Sequence, residues 1–267
     1  MKLSKQIKII ILGLILCLVP GLSSCTGEVE QRNDFKEGWN YLEKMDYLEA
    51  ERSFERYLRH NPDGENRWEA WNQLVNMAVN IRSSRKSAID LLEVMRIEYQ
   101  NNPERLVIIN NMLAGQYELA HMYPQALELW NEVVAAPQAD VNMKAEIYRN
   151  LARLYLRRME FSMTKEALAY CLELKGVNEK IASMCHYDLA DAYLIMEDID
   201  AGIKELNLLL EQENFDSDLR ILAVFMLADA YEQKGEKARA LSLFEGIRNS
   251  YPNSQVINAR IEYLQKN

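Results

Sequence analysis

The sequence is poor in the residues that make turns and in those that carry out catalysis. It has 10 glycines, 6 prolines and 3 histidines among 267 residues. β-Sandwiches and loop-rich α/β enzymes need turn residues about every ten positions, so this composition favours an all-α chain. Basic residues are also few, with 31 Lys and Arg against 40 Asp and Glu, which gives a net charge of -9. Because such an acidic surface repels phosphate backbones, we expect no nucleic-acid partner.

The first residues have the pattern of an export signal. Lys2, Lys5 and Lys8 come before an apolar run that extends from Ile9 to Val19. A bilayer-spanning helix needs about 20 apolar residues, and this run is shorter. A charged start followed by a short apolar run is typical of a secretory signal, so we expect the protein to be exported.

The apolar run ends in the motif LSSC, residues 22–25, which resembles the lipobox of bacterial lipoproteins. The resemblance implies that residues 1–24 are a lipoprotein signal peptide and that Cys25 is acylated. An ordinary signal peptide with an incidental cysteine is the alternative, but Leu22 stands where ordinary cleavage prefers a small residue. In Gram-negative lipoproteins an Asp after the cysteine often means inner-membrane retention. Thr26 stands there instead, which predicts an outer-membrane location facing the periplasm.

The rest of the chain repeats with a period of 38 residues. One column of the repeat contains five tyrosines and one valine: Tyr41, Val79, Tyr117, Tyr155, Tyr193 and Tyr231. Three positions before it lies the first small column: Gly38, Asn76, Ala114, Ala152, Ala190 and Ala228. The second small column is Ala50, Ala88, Ala126, Thr164, Gly202 and Ala240, and four positions later comes the bulky column of Phe54, Leu92, Trp130, Leu168, Leu206 and Phe244. Spacings of three and four predict helix faces, so each unit is predicted to be a helix hairpin whose small residues let the two helices approach closely.

These units resemble tetratricopeptide repeats (TPR). The last unit has the family's residues at the family's spacings: Leu227, Ala228, Tyr231, Gly235, Ala240, Phe244 and Pro252. The resemblance covers roughly residues 31–258, and it implies an all-α, right-handed superhelical α-solenoid of about six TPR-like hairpins. The usual period of the family is about 34 residues. The four extra residues here are predicted to lie between the second helix of one unit and the first helix of the next, where they add about one helical turn.

We therefore predict four segments in chain order. They are a lipoprotein signal peptide at residues 1–24, a lipidated tether at residues 25–30, six repeats at residues 31–253 and a capping helix at residues 254–267. The repeats are predicted to start near residues 31, 69, 107, 145, 183 and 221. In the capping helix we expect Ser254 to be the N-cap and four residues to form the apolar face: Val256, Ile257, Ile261 and Leu264.

The sequence shows no arrangement of residues that would support catalysis. His60, His121 and His186 have no paired Cys or His at zinc-ligand spacing, and no phosphate-binding loop or nucleophile elbow is present. We therefore expect no enzyme activity, catalytic residue, metal, cofactor or small-molecule substrate. Cys171 and Cys185 fall on helices that pack together in the TPR family. They could form a disulfide in an oxidising compartment or remain two buried thiols, and the sequence leaves both alternatives open.

Two sets of residues are candidates for a partner-binding surface. Arg149, Arg153 and Arg157 recur every four residues on a first helix, with Arg158 beside them. Guanidinium groups bind carboxylates in a bidentate manner, and the TPR resemblance implies that first helices line a concave groove. This arginine row could therefore hold an acidic segment of a partner. The alternative is an internal ladder of ion pairs with three acidic residues: Glu146, Asp188 and Asp191.

The second set is aromatic and lies in the first two units. Phe35 and Trp39 are the candidates, with Trp68 and Trp71 further along the chain. Large aromatic side chains dominate binding energy when they are exposed at an interface. The alternative is that they belong to the core, where most side chains of this kind are buried.

Together these features predict a non-catalytic scaffold, anchored by lipid at Cys25, that binds other proteins of the bacterial cell envelope. Lipid-anchored TPR proteins similar to it include the outer-membrane β-barrel assembly lipoprotein and the type IV pilus pilotin. The resemblance implies a role in the assembly of an outer-membrane complex. The alternative is an adaptor or regulator of an enzyme that synthesises or hydrolyses peptidoglycan. A shared repeat does not by itself fix the function.

Overall fold

The computed structural model describes residues 33–212 and 216–266. The predicted signal peptide, the tether and Cys25 lie outside the described residues. Within them all regular structure is helical, in thirteen α-helices and one π-helical turn. The predicted all-α class and its organisation as repeated helix hairpins are therefore confirmed.

The helices follow one another in hairpin order. In the numbering used below they are α1 Asp34–Glu43, α2 Tyr47–His60, α3 Arg67–Asn76, α4 Arg85–Glu98, α5 Pro103–Leu119, α6 Tyr123–Ala135, α7 Val141–Arg157, α8 Phe161–Glu173, α9 Glu179–Ile195, α10 Ile199–Leu210, α11 Ser217–Gln233, α12 Lys237–Ile247 and α13 Ser254–Lys266. The π-helical turn Met77–Ile81 continues α3. Odd-numbered helices up to α11 are the first helices of repeats one to six, and even-numbered helices are the second helices.

The chain forms two compact units, divided between Gln73 and Leu74. The described part of the first unit contains the hairpin α1/α2, and the core of this hairpin is aromatic. The ring of Phe54 lies 5.9 Å from that of Phe35 and 6.1 Å from that of Trp39, measured between centroids. A Cβ atom at Gly38 would lie 2.7 Å from the Phe54 ring, so only glycine allows the two helices to approach this closely.

The second unit contains four complete hairpins, α5/α6 to α11/α12, followed by α13. Their cores follow the columns of the sequence repeat. The bulky column is fully buried in this unit, as Leu92, Trp130, Leu168, Leu206 and Phe244. In the fifth repeat, a Cβ atom at Gly202 would lie 2.6 Å from Leu194 Cδ2, so the second small column again permits a close approach.

In repeats three to six the four extra residues of the period lengthen the first helices. Helices α5, α7, α9 and α11 have 17 residues each. They begin at residues 103, 141, 179 and 217, which is four residues before the predicted repeat starts. Each begins with a side chain that caps backbone N–H groups of the first turn, and these caps are also 38 residues apart: Asn102, Asp140, Asn178 and Asp216. The extra turn is therefore added to the N-terminal end of the first helix.

The final helix α13 covers the end of the last hairpin. Ile257, Ile261 and Leu264 are buried in one cluster with Phe244. Two details of the prediction for this helix are wrong. The N-cap is Asn253, whose Oδ1 accepts a hydrogen bond from Val256 N at 3.2 Å, instead of Ser254. The side chain of Val256 is exposed, because it lies one position before the buried face.

The turn inside each hairpin has a left-handed backbone at one residue. These residues lie seven positions after the first small column: Met45, Ser83, His121, Met159, Glu197 and Gly235. Their φ angles fall between 51° and 83°. A left-handed conformation costs a residue other than glycine about 1–2 kcal/mol. Five of the six turns therefore carry a backbone penalty that the glycine of the last turn avoids.

We expect Met159→Gly and Glu197→Gly each to raise the free energy of unfolding by about 0.5–1 kcal/mol. Glycine removes the steric penalty of the left-handed backbone, and part of this gain is offset by the greater freedom of glycine in the unfolded chain. The Met159 side chain is 77% exposed, so its loss removes little packing. Urea denaturation followed by far-UV circular dichroism measures the change.

The matched control is Gly235→Ala, which introduces the same penalty into the last turn and is expected to lower the free energy of unfolding by about 1 kcal/mol. Destabilisation by both glycine substitutions would show that the turns do not carry this penalty.

Candidate functional site

The three histidines lie in different parts of the chain and form no cluster. Each contacts one polar side chain: His60 Nδ1 lies 3.7 Å from Asp34 Oδ2, His121 Nδ1 lies 2.8 Å from Tyr123 Oη, and His186 Nδ1 lies 3.1 Å from Glu205 Oε2. Across residues 33–212 and 216–266, no group of three or more His, Cys, Asp or Glu side chains is arranged to hold a metal ion. No helix in the same ranges is both long enough and apolar enough to cross a bilayer.

Cys171 and Cys185 are joined by a disulfide, with Cα atoms 6.2 Å apart. The bond connects α8, the second helix of repeat four, with α9, the first helix of repeat five. Both cysteines are buried and lie against Ala145 of α7. The disulfide is therefore a structural link between neighbouring repeats inside the second unit.

The arginine row on α7 is divided between one internal ion pair and several exposed side chains. Arg149 Nε donates a hydrogen bond to Asp188 Oδ2 of α9 at 2.6 Å. The two side chains are 19% and 16% exposed, so the pair is largely shielded from water. Arg149 therefore connects the first helices of repeats four and five and is not free to bind a partner.

The other arginines of the row face solvent. Arg153 is exposed and donates to Asn150 within its own helix. Arg157 Nη1 lies 3.6 Å from Glu118 Oε1 of the preceding repeat, and Arg158 Nη2 lies 2.8 Å from Glu160 Oε1. Of the three acidic residues in the ion-pair ladder that the sequence suggested, one therefore pairs with the arginine row. Asp188 takes part, but no ion pair joins the row to Glu146 or Asp191 within the described residues.

Phe35 and Trp39 are half-buried in the first unit. Their rings pack edge to face at a centroid distance of 6.4 Å, and both contact Phe54. Trp68 and Trp71 of the same unit are also half-buried. This arrangement is that of core side chains, so we do not place a partner-binding site on Phe35 and Trp39.

A groove of about 480 Å³ lies between the first helices of the last two repeats. We call it the α9/α11 groove. From α9 it is lined by Tyr187, Asp191, Leu194 and Ile195, from α11 by Leu222, Phe225, Met226, Asp229 and Gln233, and beyond α12 by Tyr251. Most of these side chains are apolar or aromatic, and two are carboxylates. No single motif in the sequence indicates this groove, although the 38-residue shift aligns Tyr187 with Phe225 and Asp191 with Asp229.

Burial shapes the electrostatics of the groove. Loss of hydration raises the pKa of Asp191 above its ordinary value, and the nearby charge of Asp188 raises it further. Burial, together with the charges of Asp191 and Asp188, raises the pKa of Tyr187 to about 12. Tyr187 is neutral at physiological pH, as an ordinary tyrosine also is, so the charged groups that line the groove are the carboxylates of Asp191 and Asp229.

A second cleft, of about 490 Å³, lies between α4 and α5. Three of its polar side chains, Glu93, Arg96 and Tyr117, have partners inside the protein. Tyr117 Oη donates to Glu93 Oε1 at 2.7 Å, and Arg96 contacts both Asn110 and Glu132. Burial and the bond to Glu93 raise the pKa of Tyr117 to about 12. Because these groups are already satisfied, the α9/α11 groove is the better candidate for a binding site.

The hairpins of the described residues define a TPR-type α-solenoid, and comparison with known proteins supports this class. Residues 222–254, which make up most of the last hairpin, match the tetratricopeptide repeat family model. No curated protein matches the chain by sequence.

Several solved structures share the fold of this chain. BtubC from P. vanneervenii has a TM-score of 0.63 at 18% identity and covers 80% of this chain and 90% of its own. PilF from Pseudomonas aeruginosa has a TM-score of 0.57 at 14% identity, over 87% of this chain and 95% of its own. A protein of nearly identical TPR-like repeats from Podosopora anserina has a TM-score of 0.57 at 19% identity, over 75% and 97%. At these identities the likeness shows the fold alone.

We expect Arg149→Ala to lower the free energy of unfolding by about 2 kcal/mol, because it leaves the half-buried carboxylate of Asp188 without its cation. Arg153→Ala is the matched control on the same helix and is expected to change stability by less than about 0.5 kcal/mol. Thermal and urea denaturation of both variants measure the difference. Equal effects of the two substitutions would contradict the structural role of Arg149.

Proposed function

We propose that the protein is a non-catalytic, lipid-anchored scaffold that binds another protein of the bacterial envelope through the α9/α11 groove. In this proposal Cys25 carries the lipid and the repeats face the periplasm from the outer membrane. The scaffold takes part in the assembly of an outer-membrane complex. A TPR-type fold is typical of scaffolds for protein–protein interaction, which supports this role.

The observation that carries the binding site is the uncovered apolar lining of the groove. Leu222 and Ile195 are exposed large hydrophobic residues at its edge. Phe225 and Tyr251 stack in its wall, with ring centroids 4.5 Å apart and planes inclined by 15°. A concave, mainly apolar surface with a few polar groups is the usual character of a binding site. Rigid aromatic side chains at such a site supply contact area at a low entropic cost.

The exposed arginines of α7 extend the proposed surface. Arg153 and Arg157 lie on the first helix of repeat four, next to α9 in the stack. Arg153 makes no ion pair within the described residues, and the Arg157 side chain stays 59% exposed although it lies 3.6 Å from Glu118. They are available to bind acidic side chains of a partner. A partner that contacts both regions would meet basic groups on α7 and an apolar, acidic groove between α9 and α11.

The location rests on the sequence alone. The short apolar run and the LSSC motif at residues 22–25 support export and acylation, and Thr26 supports the outer membrane. A single acyl chain gives only marginal membrane binding, whereas the lipoprotein family carries three chains, which would anchor the protein stably.

Acylation is tested by labelling cells with radioactive palmitate. We expect the wild-type protein to be labelled and the Cys25→Ala variant to lose the label completely, because the acylated thiol is removed. The variant with Cys171→Ala and Cys185→Ala serves as the control, and it is expected to keep the full label. Label retained by Cys25→Ala would exclude a lipid at this residue.

Binding at the groove is tested by photocrosslinking in intact cells. A photoreactive benzoylphenylalanine replaces Leu222 in the groove or, as a matched control, Leu208 on the second helix of repeat five, which has similar exposure. We expect a specific crosslinked protein from position 222 and none from position 208. Arg153→Glu with Arg157→Glu is expected to weaken the crosslink several-fold by repelling the acidic part of the partner.

The identity of the crosslinked protein separates the possible roles. A β-barrel protein or a secretin supports assembly of an outer-membrane complex, whereas enzymes that synthesise or hydrolyse peptidoglycan replace that role with an adaptor role. No crosslink at position 222 above that at position 208 would overturn the proposed binding site.

A further inference from the structure

The last two repeats each have an aspartate at the same position of the repeat, but only one of the two aspartates is paired with a cation. Asp191 of α9 and Asp229 of α11 are related by the 38-residue shift, and both line the α9/α11 groove. Asp229 is paired, because its Oδ1 contacts Arg260 Nη2 of α13. The same 38-residue shift aligns Arg260 of α13 with Leu222 of α11. Asp229 therefore has an arginine on the first helix that follows its hairpin, whereas Asp191 has a leucine at the aligned position.

Asp191 consequently has no cation within the described residues. It forms no ion pair and no hydrogen bond there, and the one charge that perturbs it is the acidic Asp188. Asp188 is itself engaged by Arg149. A half-buried carboxylate without a cation lowers stability, because burial removes its hydration and no interaction inside the protein replaces it.

The surroundings of Asp191 fit the apolar stem and the flat head of a basic side chain. Leu194 and Leu222 line the groove beside it, and Tyr187 and Phe225 supply aromatic rings on the two helices. Arginine and lysine bury their methylene stems on apolar surfaces, and guanidinium groups also interact with aromatic faces. One repeat further on, Arg260 also lies near an aromatic ring, with its guanidinium carbon 5.8 Å from the centroid of the Phe244 ring of α12.

We propose that the α9/α11 groove binds a basic side chain, an arginine or a lysine, flanked by apolar residues in a partner protein, and that Asp191 is the carboxylate that receives it. The partner's cation takes the role that Arg260 has for Asp229 and that Leu222, at the aligned position, cannot have for Asp191. This inference rests on the proposed function and adds the chemical class of the segment that is bound.

The first test uses short peptides as probes. Three fluorescein-labelled peptides have the sequences GSLRLSG, GSLQLSG and GSLELSG, with blocked C-terminal carboxyl groups, and binding to the soluble protein lacking residues 1–25 is followed by fluorescence polarisation and by NMR chemical-shift changes. We expect the arginine peptide to bind at least about tenfold more tightly than the glutamine peptide, as a charge-assisted hydrogen bond implies. The glutamate peptide is expected to bind least.

Two variants locate the effect at Asp191. Asp191→Asn is expected to remove the preference for arginine over glutamine and to raise the thermal midpoint, because the uncompensated carboxylate is gone. Asp218→Asn is the control, since it makes the same change of charge on an exposed residue of α11. Equal binding of the arginine and glutamine peptides to the wild-type protein, or an unchanged preference in Asp191→Asn, would overturn the inference.

A third variant places the missing cation inside the protein. Leu222→Arg reproduces the Asp229–Arg260 arrangement one repeat earlier, so it is expected to pair with Asp191, raise the thermal midpoint and weaken the arginine peptide about tenfold. Leu208→Arg adds the same charge to α10 and is expected to change neither the thermal midpoint nor the binding of the arginine peptide. If Leu222→Arg left peptide binding intact, the cation would bind elsewhere.

The crosslinking experiment distinguishes this inference from the proposed function. A crosslink at position 222 that is unchanged by Asp191→Asn would leave the scaffold in place and exclude the cation site. If the arginine peptide binds through Asp191 but no protein is crosslinked at position 222, the cation site stands and the proposed function is wrong.

Discussion

The distance between paired helices depends on the small residue where they cross. At Gly38 and Gly202 any larger residue would collide with a side chain of the facing helix, Phe54 in one case and Leu194 in the other. Close approach allows the bulky column to be buried beside the crossing point, and each stacked hairpin of the second unit then packs its apolar residues against those of its neighbours. The groove between first helices is a product of the same packing, because each first helix keeps one face that its own hairpin does not cover.

The features that could be predicted are those that depend on side-chain size at a fixed period. The small and bulky columns predicted the hairpins, and the resemblance to TPR predicted their order. The left-handed turns could not be predicted, because Met, Ser, His and Glu at those positions give no sign of the backbone they adopt, and glycine is present in one turn of six. Likewise, the capping residue Asn253 lies one position before the serine that the pattern favoured.

The binding surface was harder to predict than the fold because it depends on which charges meet between repeats. The regular spacing of Arg149, Arg153 and Arg157 suggested one row with one role. The structure separates them, since Arg149 reaches Asp188 across a full repeat while the others face solvent. The α9/α11 groove had a signal in the aligned aromatic and acidic positions, but burial of a carboxylate is a property of packed neighbours. Only the packed helices showed that Asp191 lacks the cation that Asp229 has.

The disulfide between Cys171 and Cys185 also affects how the second unit can come apart. Each repeat of a solenoid contacts only its neighbours, so local unfolding can begin at any junction and spread from there. A covalent bond between α8 and α9 removes one junction from this set, because repeats four and five can separate only as far as the bond allows. Opening of the second unit is then left to the junctions that carry no covalent bond. The α9 wall of the groove belongs to the linked pair of repeats, whereas the α11 wall lies across a junction that only packing holds.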